Sequence, residues 1–113
     1  MADKQSYLEK LQEAAAIIRA GGPVEEAVRL ARDVAYDVAY TLLSRKVGVE
    51  GRPSLTEMAY RLLEEKLVDE ETAAALREVA MMPEMAHYDI FALYTVEQLM
   101  ERLRRIESLV TYL

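Results

Sequence analysis

Apolar residues recur along this chain at three-and-four spacing, the period of a helix with one buried face. Near residues 4–20 the stripe is Tyr7, Leu8, Leu11, Ala14, Ala15 and Ile18, and Ser6 with Glu9 has the form of a capping box. Gly21-Gly22 ends this helix, and Pro23 suits the first turn of the next. From 24 to about 46 the pattern is apolar nearly all round, through Ala27, Val28, Leu30, Ala31, Val34, Ala35, Val38, Ala39, Leu42 and Leu43. A helix so sparsely polar is expected at the centre of the molecule, packed on several sides.

Residues 48–53, with two glycines and a proline, read as a loop. Ser54 and Glu57 form a second capping box, opening a short helix with Leu55, Met58, Ala59, Leu62 and Leu63 inward. Asp69-Glu70-Glu71 places acid charge at the next helix start, where the macrodipole favours it. That helix runs through Ala73, Leu76, Val79 and Ala80 until Pro83, which lacks an N–H and clashes with the preceding turn. Thr95 with Gln98 caps the last helix, where Val96, Leu99, Leu103, Ile106, Val110 and Leu113 form a seam. Such a seam suits either antiparallel packing inside a bundle or a subunit interface. With no strand alternation, repeat or domain boundary, the pattern predicts an all-α, up-and-down bundle of four or five helices in one domain spanning residues 1–113.

Composition narrows this picture. At 113 residues, 52% apolar and 30% charged, the chain suits one soluble globular domain. The lack of Cys excludes disulfides, zinc-thiolate sites and thiol nucleophiles. No run approaches the ~18 apolar residues of a membrane span, and the opening residues lack signal-peptide character, so a cytoplasmic address without membrane contact is expected. The net charge of −6 disfavours RNA or DNA as a generic partner. Two small basic groups, Arg45-Lys46 with Arg52 and Arg102 with Arg104-Arg105, read as solvated helix ends or faces rather than phosphate sites. Abundant Glu and Arg without Asn or Trp is a bias seen in heat-adapted proteins.

The candidate chemistry begins at His87, the only histidine, in the segment Met81-Met82-Pro83-Glu84-Met85-Ala86-His87-Tyr88-Asp89. An imidazole beside a helix breaker could serve as general acid or base near neutral pH. The structural alternative is a partly buried ring bonded to a backbone carbonyl. One His without a second His or Cys makes a poor transition-metal site, so neither metal nor cofactor is expected. Asp33 and Asp37 lie four apart and project from one face of the second helix. They could hold Mg²⁺ through waters or orient a histidine; alternatively Arg29, four residues earlier, pairs with Asp33 in an exposed stripe. Seven tyrosines stand against one Phe. Tyr36 and Tyr40 are four apart on the second helix, Tyr88 and Tyr94 flank the stretch after His87, and such residues either pack or line pockets.

The order of these features resembles HepT-like HEPN proteins. The resemblance lies in Ala31-Arg32-Asp33-Val34-Ala35-Tyr36-Asp37-Val38-Ala39-Tyr40-Thr41-Leu42-Leu43, the loop ending Arg52-Pro53-Ser54, the stretch from Met58 to Leu76, and a histidine segment after Val79-Ala80. It covers about residues 25–113. It implies a small helical bundle, a homodimer, metal-independent RNase activity of the toxin type, and pairing with a minimal nucleotidyltransferase that can modify a motif tyrosine. It also implies pocket-lining roles for Asp33 and Asp37, beside which Tyr40 and Tyr88 stand as further pocket-lining candidates. The family's motif is an arginine, four to six residues, then histidine, often followed by another residue and tyrosine. Here the positions for the arginine are Ala80, Met81 and Met82, and the tyrosine slot holds Asp89, with Tyr88 one residue early. The nearest arginine, Arg77, is ten positions from His87, about 15 Å along a continuous helix. Loss of the arginine removes the anion clamp that a phosphate transition state needs. The resulting expectation is a catalytically weakened or inactive member acting as a nucleotidyltransferase partner. The alternatives are an active RNase using His87 with Arg77 or a partner's arginine, and a helical interaction protein outside the family.

Overall fold

The computed structural model describes residues 3–82 and 90–113. Among these residues the protein is all-helical: α1 (Lys4–Arg19), α2 (Val24–Lys46), α3 (Leu55–Glu64), α4 (Glu70–Met81), α5 (Ile90–Leu93) and α6 (Val96–Val110). The five expected segments are all present, and α5 adds a single turn that periodicity did not announce. None of the helices is long and apolar enough to cross a membrane, among the described residues.

Caps set the helix boundaries. Asp3, not Ser6, caps α1: its carboxylate accepts from the Ser6 N–H at 2.9 Å. The Ser6–Glu9 pair fits the capping pattern but lies inside the helix, because Asp3 already satisfies the first orphan donors. Ser54 accepts from the Glu57 N–H at 3.0 Å, and Asp69 accepts from Thr72 at 2.7 Å. At α6 the box is reciprocal, with Gln98 N–H bonded to Thr95 at 3.1 Å and Thr95 N–H bonded to Gln98 at 2.9 Å. Pro23 sits at the cap position of α2 rather than in its first turn. Helix α4 ends at Met81, two residues before Pro83, as a proline requires.

Helix α2 is the central element and packs against α1, α3, α4 and α6. Ala31, Val34, Ala35, Val38, Ala39 and Leu43 are essentially inaccessible. The small alanines let neighbouring helices approach closely, while one stripe through Arg29, Asp33 and Asp37 remains exposed. The α6 seam is used internally: Leu99, Leu103, Ile106 and Val110 are buried, with α1 and α4 packed against that helix. Of the two uses the seam allows, bundle packing is therefore the one the fold adopts, and the exposed Val96 lies outside it.

The second basic group also has a structural job. Arg102 Nε donates to Glu78 at 2.5 Å across the α4–α6 contact. Arg105 bonds Glu71, approaches Asp69 at 3.7 Å, and donates to Glu101 at 3.1 Å on its own helix. Arg104 completes the network on Glu101 at 2.9 Å. The side-chain bond from Thr72, with the Thr72 N–H and Arg105, holds the Asp69 carboxyl below its ordinary 3.8. Arg104, bonded to it, lowers Glu101 below 4.5. Because both folded-state values are depressed, their contribution is present above the ordinary carboxylate range and is lost as pH falls through the lowered values. Thermal unfolding followed by circular dichroism should therefore show a flat melting temperature from neutral pH to about pH 5 and a decline below about pH 4.

Candidate functional site

The described part of the candidate site is a groove of about 440 Å³ on the α1–α2 face. Helix α2 contributes Tyr36, Asp37, Tyr40 and Thr41; α1 contributes Tyr7; and the loop after α2 contributes Gly51 and Arg52. Periodicity explains the α2 set, since positions three and four apart share a helical face. The Tyr36 and Tyr40 rings lie nearly parallel, 19° apart with centroids at 6.3 Å, and form an aromatic wall. Thr41 donates back to the Asp37 carbonyl at 2.8 Å and is fixed in rotamer.

A single hydrogen bond brings the loop to the groove. The Tyr36 hydroxyl donates to the Pro53 carbonyl at 2.9 Å, folding residues 47–53 back along α2. Gly51 takes φ +69, a left-handed conformation that a larger residue would adopt only with strain. That turn places Arg52 beside the groove, exposed and with no ion pair to Asp37 among the described residues.

Tyr7 is only 4% exposed and faces Asp37 across the helix pair. Burial pushes its phenol above the ordinary 10.0, and the Asp37 carboxylate adds to this by opposing a phenolate and accepting from the phenol. The groove therefore presents a carboxylate, a neutral phenol, an aromatic wall and a guanidinium.

The other expected site residues are distributed differently. Asp33 is exposed one turn before Asp37 but does not line the groove, and no ion pair joins it to Arg29. The paired-stripe explanation for the two aspartates is therefore not the one the structure adopts. Arg77, half-buried on α4, donates to the Tyr60 hydroxyl at 2.9 Å and lies over that ring, 4.8 Å from its centroid. His87 and Tyr88 lie outside the described residues. On the described side of that segment, Phe91 of α5 lies against the α1–α2 turn, 3.7 Å from the Cβ position of Gly22. Asp37 is a further 13 residues along α2 from Val24, about 20 Å at the helical rise. Asp37 and Tyr40 thus meet in one groove, while Arg77 belongs to a separate α3–α4 contact.

Tyr7, Gly51 and Arg52 were not expected in the site. Tyr7 reads as a core residue from its α1 stripe, and only its polar end on an otherwise apolar face hinted at more. Fold and groove together define a helical bundle with a charged, tyrosine-walled surface cleft. Comparison with protein-family models, curated proteins and solved structures gave no match.

Proposed function

We propose that this chain is a HepT-like HEPN protein with a degenerate motif, weak or inactive as an RNase. In this reading it acts as a homodimeric binding partner of a minimal nucleotidyltransferase in a toxin–antitoxin-type module. The order of residues from Ala31 to His87 supports the family, and the missing motif arginine supports loss of activity. The observation that carries the second point is the state of Arg77. It is the nearest arginine before His87, and it is held by both the hydroxyl and the ring face of Tyr60. An arginine engaged in this way must break a hydrogen bond and a cation–π contact before clamping a phosphate.

The test is an RNA cleavage assay without added metal, comparing the purified protein with His87→Ala. Neither is expected to cleave, and the protein is expected to co-purify with a co-expressed minimal nucleotidyltransferase. Robust cleavage lost in His87→Ala would establish the active RNase instead. Absence of both cleavage and co-purification would return the chain to the class of unrelated helical proteins.

A further inference from the structure

We propose that the α1–α2 groove binds a guanine nucleotide unit, with the base edge on Asp37, the base face on the Tyr40 ring and the phosphate toward Arg52. The inference stands on the groove alone and does not depend on the family reading. An ionised carboxylate is acceptor-only and offers two oxygens in a fork. Guanine presents two adjacent donors, N1–H and the N2 amino group, that match such a fork. Adenine presents an acceptor at the corresponding ring nitrogen and would face the carboxylate lone pair to lone pair. Tyr7, buried and facing Asp37 across the groove, adds a neutral phenol beside the carboxylate.

The remaining groups fit the rest of the ligand. The near-parallel Tyr36–Tyr40 wall offers a surface for a planar ring, and stacking of a base on an aromatic side chain is a recurrent binding device. Arg52 brings into the same groove a guanidinium with no ion pair among the described residues, which suits a phosphate and disfavours a simple organic cation. Around it the surface is of mixed charge, with Arg61 donating to the Gly48 carbonyl and Glu50 and Glu57 nearby. A groove of about 440 Å³ exceeds one base and has room for a mononucleotide. The same chemistry could come from a free nucleotide or from a guanine in a single strand.

Titration calorimetry with GMP, guanosine, AMP, oligoguanylate and oligoadenylate separates these cases. GMP should bind at least about tenfold more tightly than AMP, as expected for a bidentate base contact. Asp37→Asn should remove that preference, and Arg52→Ala should weaken GMP while leaving guanosine nearly unchanged. Both residues are exposed, and helical circular dichroism checks that the variants fold. Oligoguanylate binding about tenfold tighter than GMP identifies a strand as the source; equal binding identifies the free nucleotide. Absence of GMP binding at millimolar concentration, equal affinity for AMP, or a guanine preference that survives Asp37→Asn overturns the proposal. RNA cleavage dependent on His87 would refute the proposed partner role and leave this result intact.

Discussion

Leu43→Ala should cost about 3–5 kcal/mol of folding stability, a large share of the roughly 5–15 kcal/mol that holds a domain together. Leu43 is fully inaccessible in the last third of α2, the helix that touches four of the others. Truncation removes the transfer free energy of the lost carbons and leaves a void that rigid neighbouring helices fill only in part. One turn before it on α2 stands the small, buried Ala39, which cannot reach into the gap. Urea unfolding should show a lower midpoint with an unchanged slope, since the surface exposed on unfolding barely changes. Leu93→Ala serves as the control: Leu93 is 53% exposed, and its loss should shift stability by less than about 0.5 kcal/mol. Equal effects from the two substitutions would mean that α2 is not the centre of the core.

The helices were legible because each is specified by local physics. Stripe, cap and breaker coincide at α3, where Ser54, Glu57 and the Leu55–Met58–Leu62 face agree, and at α6, where Thr95 and Gln98 close both halves of a box. Where two local signals competed, pattern alone chose wrongly. Ser6–Glu9 fits a capping box, but Asp3 stands one turn earlier and takes the role. Helix α5 escaped notice because four residues are too few to show a helical period.

The candidate site was legible only where it lies on one helix. Asp37 and Tyr40 share a face of α2, and their spacing alone brings them together. Tyr7 and Arg52 join them through packing between α1 and α2 and through a loop returned by the Tyr36–Pro53 bond, contacts between distant parts of the chain. Asp33 shows the converse: the same spacing that suggested a carboxylate pair leaves it one turn outside the groove. The arginines of α6 were similarly half-read. Arg104 is exposed, as a solvated face requires, but Arg102 and Arg105 are partly covered, and their acidic partners on α4 could be identified only after the two helices were placed side by side.

Val38→Asp is expected to be the most damaging single change on α2, although its immediate neighbour is already an aspartate. Val38 is 0% exposed, whereas Asp37 faces the groove. A carboxylate at position 38 would be removed from water, and among the described residues no charged side chain is buried to meet it, so the penalty should reach about 3–5 kcal/mol at neutral pH. Burial must also raise the pKa of the new group, because the charged form carries the penalty. The folded state then takes up a proton more readily than the unfolded state, and the defect shrinks as pH falls. Asp69 and Glu101 lose their stabilising effect only below the ordinary carboxylate range, so wild-type stability should be flat between about pH 8 and pH 5.5. Over that interval the gap between Val38→Asp and wild type should narrow by as much as about 1.4 kcal/mol per pH unit, read from urea midpoints. If the Val38→Asp deficit stayed constant across the interval, the damage would be steric rather than electrostatic, and the α2 environment would be wetter than its burial implies.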